Sequence, residues 1–344
     1  MWNPPNDLAP DNIYIIGNGF DRYHQLMTSY QAFAFYLQFN DPDTYGMLIK
    51  YHNLPHLDRH DEKSHRDPLW SYFEKALSTL DVDELLDDYS NYQANPEADD
   101  FRDSEWHNWE IEMNGVVDQL TTELFEEFRN FILDVEFPEL RPKLVLDFLP
   151  NAVFLNFNYS DTIERYYSIN KRRILYVHGK ALLAGDPIIL GHGVDPHSFM
   201  DKEPTPPEGL TDEQLSEWYE WLSGQHDYSY DRAREATLSY FFQSHKSTSE
   251  IITNNTAFFA GLKTVKHIFI LGHSLGEVDM PYFIEVAKSV DLANTRWTIT
   301  YFSDNERTQH EKTIASLGVP EDKIELIKMD QLKLPRHTLF DDQS

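Results

Sequence analysis

Short apolar runs alternate along this chain with longer segments in which apolar residues recur at helical spacing. Seven runs are too apolar to be half-solvated strands, and they cover residues 12–16, 152–156, 174–177, 187–190, 267–271, 297–302 and 324–329. Helical patterns follow several of them, which is typical of a largely parallel sheet with helices on both faces. We therefore predict an α/β, Rossmann-type fold whose ligand crevice lies at the carboxyl ends of the strands.

Helical spacing fills most of the chain between the first two predicted strands. Residues 70–86 and 104–136 carry apolar positions at this spacing and predict a helical insertion over about 40–150. A second insertion, over about 195–262, begins as a proline-rich polar loop, which is either a lid over the crevice or, in the interpretation that we favour, only a solvated connection. Thr211 and Gln214 predict a capping box that starts a helix through Leu222. We predict a single α/β domain over 1–344 that carries both insertions.

The charge balance and the absence of cysteine restrict the classes of partner and cofactor. The chain has 58 acidic and 29 basic residues and a formal charge of -29, which repels phosphate backbones and anionic lipid heads. No run of 18 apolar residues and no secretory leader occurs. We expect a cytoplasmic protein that binds neither nucleic acid nor membranes. Without cysteine there is no disulfide and no thiolate zinc site.

A glycine-containing turn follows the first predicted strand; its residues are Gly17, Asn18, Gly19, Phe20 and Asp21. Glycines there let the backbone approach a pyrophosphate, and the next helix offers free N–H groups at its start. The third glycine of the dehydrogenase fingerprint is missing, which disfavours hydride transfer. The alternative is a tight strand-to-helix turn without a ligand.

Polar side chains follow the second and third predicted strands. Asn156, Asn158 and Asp161 end the second, and such groups are costly to bury unless they pair with one another or face a ligand. His178 ends the third strand, where a histidine is a candidate general base. Asp161 alternatively caps the helix that follows. We expect these residues to share one crevice with Gly17, because parallel strands end at the same edge.

The run at 267–271 leads into a G-x-S-x-G sequence whose residues are Gly272, His273, Ser274, Leu275 and Gly276. This pattern is found at the nucleophile of serine hydrolases, and Asp304 and His337 would complete the Ser, Asp, His order. However, Pro281 would interrupt a helix that started directly after the serine. A serine esterase that uses Ser274 therefore stays an alternative.

Other histidines give weaker candidates. His192 lies between two glycines after the run at 187–190 and is a second-rank crevice residue. His52, His56, His60 and His65 would share a helix face only if Pro55 did not interrupt it. We therefore predict no metal site.

Four of these motifs occur in an order that resembles the sirtuin-type NAD-binding domain. Four segments are similar to those of AbiH-type bacterial abortive-infection proteins: GNGFDRYHQLMTSY, FLNFNYSDTIE, YVHGK and ILGHSLGEVDMPYF. The resemblance implies phosphate-loop glycines at Gly17 and Gly19, a catalytic histidine at His178 and a positioning asparagine at Asn158. The remaining cofactor contacts that we predict are Asn18, Phe20, Asp21, Asn156, His192, Gly272, His273, Ser274, Leu275 and Asp304.

The chain also departs from the sirtuin pattern. Gln25 and Met27 replace the Gly and Pro of the cofactor loop, and Ser160 stands where sirtuins have an aspartate, with Asp161 one position late. The four-cysteine zinc module of protein deacylases cannot exist here, so we expect no zinc and no acyl-lysine substrate.

The resemblance implies that NAD is the substrate and that its nicotinamide–ribose bond is cleaved through an oxocarbenium-like transition state. His178 would accept a proton, Asn158 would hold water against C1′, and Asp161 or Asp21 would stabilise the cation. It also implies an effector of antiphage defence, whose protein partner would be a second copy or another defence protein. A nucleotide-sensing module without turnover is the other alternative.

Overall fold

The computed structural model describes residues 9–61, 68–181, 188–202, 204–224 and 226–332. The chain forms two compact units. The first unit comprises residues 1–33, 128–189 and 247–344, and the second comprises 34–127 and 190–246. The second unit thus draws its residues from two separate stretches, which overlap the regions interpreted above as insertions.

A six-stranded parallel sheet lies in the first unit, with strand order β3-β2-β1-β4-β5-β6. The strands are β1 (Asn12–Ile16), β2 (Ala152–Asn156), β3 (Ile174–Tyr176), β4 (His267–Leu271), β5 (Arg296–Thr300) and β6 (Ile324–Ile327). Central strand β1 pairs on one side with β2 and on the other with β4. The strand order reverses between β1 and β4, which is where open parallel sheets bind their ligands. The predicted Rossmann-type α/β class is confirmed.

The sheet is buried on both faces, which explains why its strands read as apolar runs without alternation. Alternate residues of β1 enter different cores: Ile13 and Ile15 pack in one, and Tyr14 and Ile16 pack in the other. The Tyr14 ring stacks on Phe269 of β4 with 4.5 Å between centroids.

Fifteen α-helices are present in the described parts of the chain. In chain order they are α1 (Asn18–Tyr23), α2 (Tyr30–Asn40), α3 (Pro42–Tyr51), α4 (Pro68–Ser71), α5 (Phe73–Ala76), α6 (Val82–Asp88), α7 (Asn108–Asp118), α8 (Leu124–Leu133), α9 (Thr162–Tyr167), α10 (Asp212–Ser223), α11 (Tyr228–Gln243), α12 (Thr248–Asn254), α13 (Thr256–Ala260), α14 (Met280–Ser289) and α15 (Asp304–Ser316).

Helices form where the sequence predicts them, but their boundaries differ from the predicted ones. The segment 104–136 forms α7 and α8, which a π-helical turn at Gln119–Glu123 joins. The capping box before α10 is confirmed: Gln214 N–H donates to Thr211 Oγ1 at 3.3 Å, and Gln214 Oε1 accepts from Thr211 N–H at 3.0 Å. The segment 70–86 is divided among three short helices, α4 to α6.

The strand predicted at 187–190 is wrong for its described residues, 188–190. Ile188 forms only an isolated antiparallel bridge with Gly179, and the parallel sheet ends at β3. An apolar run in the sequence favours burial of a segment, but it does not by itself predict that the segment pairs with a strand. In the part of the chain that the structure describes, no helix combines the length and apolar character that crossing a membrane requires.

Candidate active site

The loops that follow β1 and β4 cross in direct backbone contact. Gly19 N–H donates to Gly272 O at 2.7 Å, and Gly17 N–H donates to Leu271 O at 3.0 Å. A Cβ on Gly19 would lie 2.7 Å from Gly272 Cα, and Gly272 itself has φ +64°. Side chains have no room at this crossing, so the glycines serve the contact between the loops. The Gly19 N–H is consequently already bonded within the protein.

Two other residues of the first turn stabilise their own loop. The Asn18 side chain donates to Thr28 O at 3.1 Å and accepts from the Thr28 hydroxyl at 2.6 Å. The Phe20 ring is fully buried and packs against His24 and Tyr167.

Asp21 is the centre of a buried polar cluster that joins the loops after β1 and β2. Its side chain is 1% exposed and accepts a hydrogen bond from Ser160 Oγ at 2.5 Å, while Ser160 also contacts Thr162 Oγ1 at 2.9 Å. Burial raises the pKa of Asp21 to about 6, and the groups of Ser160, Thr162 and Asn158 oppose that shift. Asp21 is therefore mostly ionised at neutral pH.

Two buried polar atoms of this cluster are unsatisfied among the described residues. They are Asp21 Oδ1 and Asn158 Nδ2, although the Asn158 amide lies close enough to lower the pKa of Asp21. Asn158 is 6% exposed, and its backbone N–H donates to Asn156 Oδ1 at 3.0 Å. Asn156 therefore shapes the turn, whereas Asn158 presents a buried donor, which is costly to keep unless a ligand pairs with it.

Asp161 takes a different position from Asp21. It stands at the N-cap position of α9 but makes no side-chain cap, and its Oδ1 contacts Arg165 Nε at 2.6 Å. The carboxylate of the buried cluster is thus that of Asp21. Asp161 instead forms an ion pair with Arg165, one turn further along α9.

Asp279 lies between two buried histidines. Its Oδ1 is 3.5 Å from His178 Nε2, and its Oδ2 is 3.4 Å from His273 Nε2. His178 and His273 are 2% and 4% exposed, and the Phe157 ring packs against both, with centroid distances of 5.3 and 4.4 Å. Phe157 follows Asn156 directly, so the turns after β2, β3 and β4 meet here. No sequence pattern singled out Asp279 as a site residue.

His310 of α15 is a second group that sequence patterns did not reveal. It is 1% exposed, and neither ring nitrogen has a hydrogen-bond partner in the described residues. Burial lowers its pKa, while Glu306, 3.8 Å from Nε2, acts in the opposite direction. A lone histidine on a polar helix carries no pattern from which this position could have been inferred.

The geometry at Ser274 differs from a nucleophile elbow. Ser274 is exposed, the left-handed residues of the turn are Gly272 at φ +64° and Leu275 at φ +55°, and helix α14 begins only at Met280. Among the described residues, the Ser274 hydroxyl has no hydrogen bond to a histidine or a carboxylate. Asp304 is exposed at the first position of α15, and His337 lies outside the described residues.

His192 belongs to the second unit. Its Nε2 is 3.1 Å from Phe241 O, and its Nδ1 accepts from Val194 N–H at 3.3 Å. Burial lowers the pKa of His192 to about 4. Both ring nitrogens are thus engaged inside that unit.

The histidine-rich segment does not gather ligands in its described part. His52 is buried, with Nδ1 3.1 Å from Ala76 O, and His65 lies outside the described residues. Across the described ranges, no group of three or more histidines and carboxylates could hold a metal ion.

Comparison with known proteins gives one relationship. No curated protein matches the chain. The family model for bacteriophage abortive infection AbiH matches residues 13–301. That match runs from β1 to the end of β5 and includes every loop of the candidate site. The chain therefore belongs to the AbiH family, whose role is in bacteriophage abortive infection.

Proposed function

We propose that this abortive-infection protein is an NAD glycohydrolase, which cleaves the nicotinamide–ribose bond of NAD. The observation that carries the proposal is the buried polar cluster of Asp21 and Asn158 after β1 and β2, with the buried His178 after the next strand, β3, at the carboxyl edge of the sheet. The order of the six strands is that of dinucleotide-binding folds, and the cluster adjoins the point where this order reverses.

The buried carboxylate suits the charge that develops in this reaction. As the glycosidic bond stretches, positive charge spreads over C1′ and the ring oxygen of the ribose. Asp21 is mostly ionised at neutral pH, and a carboxylate in a low-dielectric site stabilises a cation more strongly than one in water. In our proposal Asp21 faces the ribose and stabilises the oxocarbenium-like transition state.

In the proposed reaction, Asn158 positions the attacking water and His178 accepts its proton. The Asn158 amide donor, which has no protein partner among the described residues, holds the water near C1′, and His178 accepts the proton that the water loses. The C–N electron pair leaves with nicotinamide, whose ring becomes neutral, and a C–O bond forms at C1′. NAD and water thus give nicotinamide, ADP-ribose and one proton.

The proposal is tested by incubating the purified protein with NAD and separating the products by chromatography. We expect nicotinamide and ADP-ribose from the native protein. The rate of His178→Gln should be lower by a factor of about 10² or more. His267→Gln is the control: His267 is a partly buried histidine that lies at the amino end of β4, away from the carboxyl edge, and contacts Thr298 Oγ1 at 2.8 Å.

A second experiment, in infected cells, tests whether the protein becomes active only during infection. Cells that express the protein are infected with a phage against which it protects, and their NAD is measured over time. Loss of NAD that requires His178 supports the proposal. Protection with an unchanged NAD pool, together with intact NAD in the purified reaction, would overturn it in favour of nucleotide sensing or another substrate.

A further inference from the structure

We infer that Asp279 is a positioning residue that fixes the ring of His178 for proton transfer, and that His273 holds Asp279 in place. The inference rests on the proposed function and assigns to that same site two residues that its reaction scheme does not use.

The first observation is the geometry of the Asp279 carboxylate. Each of its oxygens faces the Nε2 atom of a different histidine, at 3.5 Å for His178 and 3.4 Å for His273. Asp279 ends a single 3₁₀ turn, Glu277–Asp279, and occupies the N-cap position of α14. Its backbone is therefore held by a packed helix, whose buried residues include Tyr282 and Phe283.

The second observation fixes the protonation of His273. Leu275 N–H donates to His273 Nδ1 at 2.9 Å, so Nδ1 is an acceptor in this arrangement. A neutral imidazole that accepts at Nδ1 carries its proton on Nε2, which is the atom that faces Asp279 Oδ2. His273 therefore presents a donor to the carboxylate.

The backbone of Leu275 supports the same assignment. Leu275 adopts φ +55°, a left-handed conformation that is uncommon for residues other than glycine. Such conformations persist where the surrounding structure determines them, and they cluster at functional sites. Here the turn brings the Leu275 N–H onto the imidazole of His273, two residues before it. The left-handed conformation of Leu275 therefore serves to orient the His273 ring.

Aromatic packing restricts the two imidazole rings. Phe157 lies edge-on to both His178 and His273, and the rings of Tyr159 and Tyr282 each lie 5.9 Å from that of His178. Both carboxylate–imidazole distances exceed an ordinary N–H···O hydrogen bond of about 2.9 Å. A small movement on ligand binding closes them, as is usual for catalytic hydrogen bonds that tighten in the bound state.

The arrangement assigns a role to each group during turnover. When His178 takes the proton of the attacking water, it becomes a cation, and the carboxylate facing its Nε2 stabilises that cation. His273 cannot pass the proton onward from Asp279, because the Leu275 N–H occupies its Nδ1. His273 therefore holds the carboxylate in position and does not act as a proton exit.

The kinetic test compares Asp279→Asn with the native protein. We expect kcat to fall on the order of 10²-fold with little change in KM, and the acid limb of the rate–pH profile to move to lower pH. His273→Gln should cause a smaller loss of kcat. Glu277→Gln, an exposed carboxylate of the same 3₁₀ turn, is the matched control and should retain the native profile. Native kcat and a native profile in Asp279→Asn would overturn the inference.

A second measurement does not depend on turnover. In protein labelled with ¹⁵N-histidine, the ring resonances of His178 and His273 are assigned from His178→Gln and His273→Gln. We expect an unprotonated Nδ1 on His273, and a lower titration midpoint for His178 in Asp279→Asn because its cation loses the facing carboxylate. Identical titration of His178 in both proteins would refute the positioning role. Failure of the native protein to cleave NAD, with these spectra as expected, would refute only the proposed function.

Discussion

Ser160 donates a hydrogen bond to Asp21 across 139 positions of sequence, and this bond joins the turns after β2 and β1. It places a carboxylate in an environment from which solvent is excluded, with only part of its hydrogen-bonding capacity used. The carboxylate of this buried cluster thus comes from Asp21, which follows β1, and not from the turn after β2 that supplies Ser160.

The substitution Asp21→Asn should lower activity and raise stability at neutral pH. We expect kcat for NAD cleavage to fall, because the substitution removes the negative charge that, in the proposed mechanism, faces the ribose. In the native protein the rate should fall as pH drops through about 6, where Asp21 takes up a proton. The variant should lose this contribution of Asp21 near pH 6 and keep the acid limb that belongs to His178. A rate–pH series for both proteins checks the prediction.

The stability change of Asp21→Asn has a defined pH window. An acid whose pKa is raised from 3.8 to about 6 on folding binds protons more tightly in the folded state, so the free energy of unfolding falls as pH rises between these values. The penalty at pH 7 is roughly 3 kcal/mol. Thermal unfolding should therefore show the variant stabilised at pH 7 and not at pH 4. Equal midpoints at pH 7 would contradict this prediction.

The substitution Gly272→Ala should prevent the loops after β1 and β4 from crossing. The new Cβ would lie 2.3 Å from Phe20 N and 2.6 Å from Gly19 Cα, and the residue already has a positive φ. We expect a loss of roughly 3 kcal/mol or more in the free energy of unfolding. Gly46→Ala is the control, because nothing lies within 4 Å of its Cβ and it sits inside α3. It should gain about 0.5–1 kcal/mol.

Buried neutral histidines should make the second unit sensitive to acid. Burial lowers the pKa of both His52 and His192 to about 4. For a base with a lowered pKa, the unfolded chain binds more protons, so stability falls as pH drops from about 6.5 towards 4. Thermal unfolding at pH 7.5, 6 and 5 should show this loss, and His52→Gln should reduce it. His60→Gln, at an exposed position, should leave the loss as it is in the native protein.

Two lysine ion pairs should differ sharply in their contribution to stability. The Lys246 side chain is fully buried with its Nζ 2.8 Å from Glu74, whereas Lys266 pairs with Asp11 at the same distance while 77% exposed. Lys246→Met removes the buried cation that pairs with the mostly buried Glu74 carboxylate and should cost about 3–5 kcal/mol. Lys266→Met should have little effect. Denaturant unfolding measures both, and equal losses would refute the distinction.

The sheet and its edge could be predicted from the sequence because both depend on burial. Strands such as Asn12–Ile16 and His267–Leu271 are apolar on both faces, and few other segments of that length tolerate such composition. Because the strands are parallel, their carboxyl ends lie at the same edge of the sheet. The run at 187–190 shows the limit, because its described residues are apolar and yet form only an isolated bridge outside the sheet.

The connections within the site could not be predicted, because they depend on tertiary packing. Nothing local distinguishes Asp279 from Glu277, the other acidic residue of its turn, and only the placement of α14 brings Asp279 between two histidines. The glycines after β1 and β4 fit a phosphate loop equally well as sequence, but their backbone atoms contact each other. That contact requires the register of two strands that are far apart in the chain.

That register has a consequence for synthesis on the ribosome. The central strand β1 is made first, yet Asn12 pairs with Ala152 on one side and with His267 on the other. At translation rates of about 5–20 residues per second, β1 waits roughly 10 to 50 s for β4 to emerge. The apolar strand must be shielded meanwhile by chaperones or transient contacts. A nascent chain that ends before Gly272 also lacks the loop after β4, so the activity proposed for this site cannot arise before that loop is synthesised.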